Sequence, residues 1–404
     1  MRYGTKIIVW HECYVKGGSD WSIIDVLTNW PNKNDNFDFF VNRKHEGIPL
    51  LKKKLYKKCK FNYYDSIIEK FINLEKKKTF YYLLKISIIR KLIGIGLLIF
   101  SFFRINKKIK KKNSDFILIN NGGYPGGLSS YIVIISAFFL KKKTVMIIRN
   151  FPPSSYKKNI TMMITKLIIQ KFNCKIIAVS KSLKKSLVVD GGLKKKEIKV
   201  IYNGISIQNK KNIQNKKKLK INQLSVGIFG RVEHRKGHHL LILSWQKIQK
   251  IIPNICLYIV GDGEKNYVKK LKYLIKKENL DEKKIIWISY TDNIYKIMSK
   301  VKLVIVPSIN FESFGRVAVE AMALKKPLIT SDFGGLKEVN KNNKTGLVLK
   351  VHIKKKLEDG IIQLMSNEKK RKLFGKEGYI NFKKNFTSKI MSNNYYQFIK
   401  KIIR

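Results

Sequence analysis

Two series of short apolar runs, separated by longer amphipathic stretches, constrain most strongly what this chain can fold into. The first series ends near residue 204 and the second begins at Leu224. The runs are continuous rather than alternating, as expected for strands buried on both faces of a parallel sheet. Strand, helix and strand repeated in this way predict an α/β protein with right-handed crossovers.

The pattern predicts ten strands with helices between them. The strands of the first series are Lys6–Trp10, Phe116–Asn120, Thr144–Ile148, Lys175–Val179 and Lys199–Tyr202. Those of the second series are Ser225–Phe229, Cys256–Val260, Lys284–Ile288, Leu303–Val306 and Pro327–Thr330. The clearest helical patterns are Ser180–Val189, Gly237–Ile251, Asn266–Lys277, Arg316–Lys325 and the tail Ser388–Arg404. Residues 32–115 are less regular, and within them Tyr63–Leu74 has a helical pattern.

The polar, Lys- and Asn-rich stretch 208–223 lacks apolar periodicity and therefore predicts a linker. We expect two Rossmann-like, doubly wound domains, 1–207 and 224–385, that face each other across a cleft. Ligands of such sheets bind beyond the carboxyl ends of the strands, so the cleft is where the site is expected.

The charge balance is lopsided, with 84 basic and 27 acidic residues and a net charge of +57. Such a field attracts phosphates, nucleic acids or anionic membranes. Lys, Ile, Asn, Phe and Tyr also share A/T-rich codons, so base-composition bias is an equally open interpretation. The lysines are spread along the chain, which argues against a nucleic-acid-binding protein.

The cysteines, the start of the chain and its longest apolar run indicate the compartment and the relation to a membrane. Four widely spaced cysteines without a CxxC pair fit a reducing compartment. The start of the chain does not resemble a secretory signal, so we expect a cytoplasmic protein. The apolar run Leu92–Phe103 is too short to span a bilayer. The lysines of 107–112 follow it, so both a helix lying on an anionic membrane and a buried core helix remain open.

The strongest local signal follows the predicted strand Leu303–Val306. Glu312 lies in the loop after that strand, Gly315 allows the backbone to approach a ligand closely, and Glu320 lies in the following helix. The start of that helix offers free N–H groups to an anion. Two carboxylates at this spacing are suited to binding two sets of sugar hydroxyls, although exposed glutamates without such a role are equally common.

Two further loops contain candidate ligand-binding residues. Arg231 and Lys236 follow the strand Ser225–Phe229, on the same sheet as Glu312, where they would hold a diphosphate. Gly17 and Gly18 follow the first strand and permit a close backbone approach to phosphate or sugar.

Several enzyme classes are excluded by missing motifs. The sequence has no GxxxxGK[ST] phosphate loop, no HExxH zinc motif and no GxSxG nucleophile elbow. It also has no clear Asp-x-Asp metal motif, so no metal site is predicted. His238 and His239 fall in the first turn of a predicted helix, where we expect a structural role.

Taken together, these segments resemble the retaining nucleotide-sugar glycosyltransferases of the GT-B fold, in the group called glycosyl transferases group 1 (family 4). Glu312–Glu320 is similar to the family's E-x7-E motif, and Gly230–Gly237 to its "GR…KG" loop. Further similar segments, which extend the resemblance over nearly the whole chain, are Gly17–Asp20, Val179–Ser182, Ile201–Ile205, Val260–Gly263, Pro327–Thr330, Gly334–Glu338 and Thr345–Val348. The resemblance also implies that the final helix, 386–404, crosses back to the first domain.

The resemblance implies transfer of a sugar from a nucleoside diphosphate donor to an acceptor hydroxyl, with retention and without a metal or other cofactor. Arg231 and Lys236 would neutralise the departing diphosphate, Glu312 would bind the transferred sugar and Glu320 the ribose. The backbone at Gly17–Gly18 and at Phe314–Gly315 would line the donor.

One position departs from the family. Arg149 stands where many members have a histidine, so it is a candidate acceptor-side contact, with His11 as a fallback that is expected to be structural. The expected acceptor is a lipid-linked or growing cell-surface glycan, used in polysaccharide or lipopolysaccharide assembly. The enzyme would then touch an anionic membrane at its cytoplasmic face. A GT-B-fold sugar-nucleotide epimerase and a basic nucleic-acid-binding protein remain as alternatives.

Overall fold

The computed structural model of the protein describes residues 4–65, 87–153, 155–207, 224–291, 294–310 and 312–404. The chain divides into two compact units. Unit 1 contains Met1–Ile201 together with Ser388–Arg404, and unit 2 contains Tyr202–Thr387.

Unit 1 contains a parallel sheet flanked by helices. Its strands are β1 Lys6–Glu12, β2 Asn36–Asn42, β3 Cys59–Tyr64, β4 Phe116–Asn121, β5 Lys143–Ile148, β6 Lys175–Ala178 and β7 Ile198–Val200. Its helices are α1 Gly18–Thr28, α2 Ile48–Leu55, α3 Ser87–Lys112, α4 Leu128–Phe139, α5 Ile160–Lys171 and α6 Lys181–Val189. The strand order is β3-β2-β1-β4-β5-β6-β7. The order reverses between β1 and β4, which is where a doubly wound sheet opens a crevice for a ligand.

Unit 2 repeats this architecture. Its strands are β8 Ser225–Phe229, β9 Cys256–Val260, β10 Ile285–Ile288, β11 Leu303–Val306, β12 Leu328–Ser331 and β13 Gly346–Leu349. Its helices are α7 His238–Ile251, α8 Lys265–Lys277, α9 Ile294–Lys300, α10 Arg316–Ala323, α11 Leu336–Val339, α12 Lys354–Ser366 and α13 Glu368–Asn385. The strand order is β10-β9-β8-β11-β12-β13, and here the reversal lies between β8 and β11.

The last helix, α14 Ser388–Ile403, belongs to unit 1. It packs against α1, and the Ser392 hydroxyl donates a hydrogen bond of 2.7 Å to the Val26 carbonyl oxygen. Tyr395 is fully buried, whereas Ile390, Phe398 and Ile402 of the same helix are partly exposed.

The α/β fold predicted from the sequence is confirmed, and β8, β9 and β11 have the predicted bounds. The pattern missed β2, β3 and β13. The helix predicted over Tyr63–Leu74 is wrong at Tyr63 and Tyr64, which lie in β3, and its residues 66–74 lie outside the described residues. The linker predicted over 208–223 lies outside them as well.

The division between the units lies six residues before the predicted end of the first domain. Tyr202 packs its ring near those of Phe314 and Phe386, at centroid distances of 6.1 and 5.8 Å. The Ile205 amide donates to the Phe386 carbonyl oxygen at 3.0 Å. These contacts attach residues 202–207 to unit 2.

Candidate active site

In unit 2, two loops meet at the point where the strand order reverses. One loop follows β8 and the other follows β11, and β8 and β11 are neighbours in the sheet. The Ile309 amide donates to the Arg235 carbonyl oxygen at 2.9 Å. Gly237 has φ +75°, and a Cβ added there would lie 2.0 Å from the Pro307 carbonyl oxygen. Only glycine permits this close packing of the two loops.

The two loops bring Lys236 and Glu312 together, 76 residues apart in the sequence. The Lys236 ammonium donates to Glu312 Oε2 at 2.6 Å, and the Ser308 hydroxyl donates to the same oxygen at 2.9 Å. Glu312 is only 8% exposed. The predicted cation and carboxylate therefore form one partly desolvated ion pair at the carboxyl edge of the sheet.

Electrostatics favour the charged form of Glu312. Burial alone would raise the pKa of Glu312, but the charge and hydrogen bond of Lys236, the Ser308 hydrogen bond and the charge of Arg235 outweigh it. The pKa of Glu312 is therefore lowered. A fixed carboxylate beside a fixed ammonium suits a substrate that presents hydroxyl groups to one and negative charge to the other.

The second carboxylate, Glu320, lies in α10. Arg316 Nε donates to Glu320 Oε1 at 3.0 Å, and the Tyr295 hydroxyl lies 3.4 Å from the same oxygen. Gly315 has φ +93° and precedes the helix, and a Cβ there would lie 2.4 Å from Leu336. Phe314 is 2% exposed and Gly315 is buried, so both residues that were predicted to line the donor are covered by protein here. The N-terminal end of α10 thus lies between the two glutamates in sequence.

Arg231 lies directly after β8 and Gly230, in the same loop as Lys236, and is exposed. His238 and His239 open α7, where sequence analysis placed them. His238 is buried, and burial lowers its pKa to about 4, which keeps it neutral near pH 7.

In unit 1, the loop after β1 leads into α1, which begins at Gly18 with Gly17 as its N-cap. The Asp20 carboxylate accepts the Gly17 amide at 2.8 Å. Its other oxygen accepts His11 Nε2 at 2.8 Å and His45 Nε2 at 2.9 Å. Asp20, His11 and His45 are all buried. Asp20 therefore fixes the position of the Gly17–Gly18 loop by accepting a hydrogen bond from its backbone.

The polar network continues across the reversal point of the sheet. The Asn120 amide nitrogen lies 2.7 Å from His11 Nδ1, and Arg149 Nε donates to the Asn120 side-chain oxygen at 2.9 Å. A neutral His11 that donates from Nε2 to Asp20 and accepts at Nδ1 from Asn120 satisfies every distance. His11 Nε2 and His45 Nε2 each lie at hydrogen-bond distance from Asp20 Oδ1. The three residues offer ligand atoms within 4.8 Å of one another, so they are also a candidate metal-binding group.

The charges within this network follow from burial and pairing. Burial raises the pKa of Asp20, but the hydrogen bonds and charges of His11 and His45 lower it well below its usual range. Burial lowers the pKa of His11 more than Asp20 raises it. Burial alone would lower the pKa of His45, but Asp20, the Tyr14 backbone and the charge of Glu46 together outweigh it, so this pKa is raised. The network is thus consistent with an ionised Asp20 between a neutral and a more basic histidine.

Arg149 is 7% exposed and also donates from Nη1 to Ser22 Oγ at 2.7 Å. Its side chain holds Asn120 and α1 together at the edge where an acceptor contact was predicted. Sequence analysis missed Asp20 and His45. An acidic residue three positions after the N-cap is a capping-box signal that predicts the Asp20–Gly17 bond, but nothing in the sequence points to His45.

Comparison with solved structures identifies the class of fold. A crystal structure of Anabaena Alr3699/HepE in complex with UDP-glucose superimposes with a TM-score of 0.74 at 19% identity, covering 98% of this chain and 100% of that one. A glycosyltransferase from Rickettsia africae gives a TM-score of 0.76 at 20% identity, covering 100% of both chains. The chain has the two-domain α/β fold of the GT-B glycosyltransferases.

Residues 209–380, less than half of the chain, match the family described as Glycosyl transferases group 1, the group that this part of the sequence resembles. The chain is 34% identical to an uncharacterized glycosyltransferase, MJ1178, of Methanocaldococcus jannaschii over 205 residues, which are 50% of this chain and 53% of that protein. It is 27% identical to the capsular polysaccharide biosynthesis glycosyltransferase CapM of Staphylococcus aureus over 226 residues, 54% of this chain and 58% of CapM. The chain thus spans about half the length of these curated relatives.

Proposed function

We propose that this protein is a retaining, metal-independent glycosyltransferase that moves a sugar from a nucleoside diphosphate to an acceptor hydroxyl. The observation that carries the proposal is the Lys236–Glu312 pair, held where the strand order of unit 2 reverses. The bond between the sugar's anomeric carbon and the phosphate oxygen breaks, and a bond to the acceptor oxygen forms. The acceptor's proton leaves with the nucleoside diphosphate or passes to solvent.

The geometry supports a division of roles. The leaving diphosphate gains negative charge as its bond to the sugar breaks, so the Lys236 ammonium, exposed Arg231 and the N-terminal end of α10 would stabilise it. Glu312 would bind hydroxyls of the transferred sugar and Glu320 those of the ribose. In unit 1, the Gly17–Gly18 loop fixed by Asp20 would provide backbone contacts to the donor.

Uridine diphosphate sugars are the first donors to test, because the Anabaena structure of similar fold holds UDP-glucose. CapM is described as acting in capsular polysaccharide biosynthesis, which favours a lipid-linked or growing cell-surface glycan as acceptor. The reaction would then take place at the cytoplasmic face of the membrane.

The test uses the purified full chain with UDP-, GDP-, ADP- and dTDP-sugars, each with and without a bacterial lipid extract. We expect one donor to release its nucleotide only when extract is present, and proton NMR of the product to show the donor's anomeric configuration. Rearrangement of the sugar nucleotide without any acceptor would identify an epimerase instead. Failure to bind any nucleotide sugar, together with steeply salt-dependent binding to DNA or RNA, would favour a nucleic-acid-binding protein.

A further inference from the structure

The middle of α3, from Ile95 to Phe103, carries large apolar side chains on its solvent side. Ile95, Ile99, Phe100 and Phe103 are all exposed, and Phe103 is 65% exposed. The buried side of the helix comprises Ser101, Ile105 and Ile109 in its second half. A helix segment that is apolar all round is normally covered by protein or lipid.

Helix α5 shows the same feature independently. Ile160, Met163, Ile164 and Leu167 recur at helical spacing on its outer side, and Leu167 is 61% exposed. The opposite side, with Met162, Thr165 and Ile169, is buried against unit 1. This helix therefore has an apolar inner side and an apolar outer side, whereas the surface helix of a globular protein normally has a polar outer side.

The two exposed sides belong to one surface, because α3 packs on α4 and α4 packs on α5. Aromatic rings connect the helices: the centroids of Phe102 and Phe139 are 5.9 Å apart, and those of Phe138 and Phe172 are 5.0 Å apart. We call this surface the apolar face, defined by Ile95, Ile99, Phe103, Phe139, Ile164 and Leu167. Exposed apolar patches that extend over several elements mark interaction sites.

The excess of basic residues around the apolar face favours an anionic partner. From Ser87 to Lys171 the sequence has sixteen basic residues and one acidic residue, Asp115. Helix α3 ends in three consecutive lysines. Beside the ends of α4 and α5, a groove of about 950 Å³ is lined by aromatic and basic side chains, among them Phe138, Phe172, Lys141, Lys175 and Lys401. Apolar side chains bordered by lysines complement a surface with an apolar interior and anionic phosphates.

We propose that the apolar face of α3, α4 and α5 docks on an anionic lipid bilayer. No helix in the described part of the chain is long and apolar enough to cross one, so the helices would lie in the interface with apolar residues inserted and lysines on lipid phosphates. Because a crossover helix runs opposite to the strands it joins, the apolar start of α5 lies toward the carboxyl edge of the sheet. That edge also holds the Gly17–Gly18 loop and Arg149, so a lipid-linked acceptor would reach it from the membrane.

The proposal deepens the proposed function by naming where the acceptor enters, but the docking itself is measured without sugar transfer. The full chain is sedimented with vesicles of phosphatidylcholine alone or mixed with phosphatidylglycerol. We expect at least about tenfold tighter binding to the anionic vesicles, weakened by salt. The double variant Ile164→Gln/Leu167→Gln is expected to bind about tenfold more weakly than wild type.

The matched control replaces two exposed apolar residues of unit 2, as Leu373→Gln/Ile380→Gln, which should leave vesicle binding unchanged. Thermal unfolding and the binding of nucleotide sugar in the absence of vesicles should be the same in all three proteins. Equal binding by wild type and the Ile164/Leu167 variant, or no preference for anionic vesicles, would overturn the proposal even if the enzyme is active. A vesicle-free dimer that the Ile164/Leu167 variant dissociates would assign the face to a second copy of the chain instead.

Discussion

Replacing Asp20 by Asn tests whether the buried network of unit 1 holds the Gly17–Gly18 loop. The Asp20 carboxylate accepts three hydrogen bonds, from His11, His45 and the Gly17 amide. An asparagine has the same shape but only one acceptor oxygen, so one of these donors must face its NH₂ group. A hydrogen bond to a charged group contributes roughly 1.5–3 kcal/mol, and its loss leaves a buried donor unsatisfied.

We therefore expect Asp20→Asn to lower the free energy of unfolding by about 2–4 kcal/mol at pH 7. In a unit of this size, that corresponds to a fall in Tm of roughly 5–15 °C. The assay is urea unfolding followed by tryptophan fluorescence. The control is Asp115→Asn, because Asp115 accepts a backbone amide, that of Lys6, at 2.7 Å in an exposed setting. We expect that variant to stay within about 1 kcal/mol of wild type.

The pH dependence has a defined sign. The pKa of Asp20 is lowered from 3.8 in the folded state, so its contribution is complete above pH 3.8 and is lost as the pH falls below that value. The pKa of His45 is raised from 6.5 by Asp20, so that contribution is complete below pH 6.5 and is lost as the pH rises through the folded value. The difference between wild type and Asp20→Asn should therefore shrink below about pH 3.8. A difference under about 0.5 kcal/mol at pH 7, or one that persists in acid, would refute the reasoning.

Two further predictions concern unit 2. Gly237→Ala should lower its free energy of unfolding by about 2 kcal/mol or more, since its Cβ would collide with the Pro307 carbonyl oxygen at positive φ. Gly18→Ala, with nothing within 4 Å of the added atom, should be near neutral in the same urea titration. Glu320→Gln should raise the donor KM by about tenfold with little change in kcat if Glu320 contacts only the ribose. An unchanged donor KM would contradict that role. Arg316→Gln, at the residue that donates to Glu320, is the control for a change in stability.

The sequence pattern predicted the buried strands well because continuous apolar runs have few alternatives. It missed β2 because Asn36 and Asp38 interrupt the apolar run, and Asp38 finds partners, Asn62 and Lys112, only in the folded chain. It missed β3 and β13, two edge strands in which several residues are exposed or only partly buried, although it found the other two edge strands, β7 and β10. Short, half-exposed strands do not carry the signal of a buried run.

The candidate site, too, was predictable from the sequence only in part. The loops of unit 2 were predictable because glycine, lysine and glutamate stand directly after strands whose carboxyl ends share an edge. The direct contact between Lys236 and Glu312 was not predictable, because the two residues are far apart in sequence and were assigned to different parts of a donor. His45 joined the unit 1 network without a local signal, because tertiary packing alone brings it to Asp20.

Lys236 and Glu312 are proposed to act on the same donor, and the kcat of acceptor-dependent nucleotide release tests this most directly. Glu312→Gln and Lys236→Ala should each reduce kcat by about 100-fold or more. The kcat of the double variant should be no lower than that of the slower single variant, because the effects of residues that act as a unit are not additive. Glu368→Gln and Lys372→Ala alter an exposed ion pair of 2.8 Å in the same unit and should leave kcat unchanged. If wild type releases nucleotide with acceptor and the Lys236 and Glu312 variants do so at the same rate, the central claim is wrong.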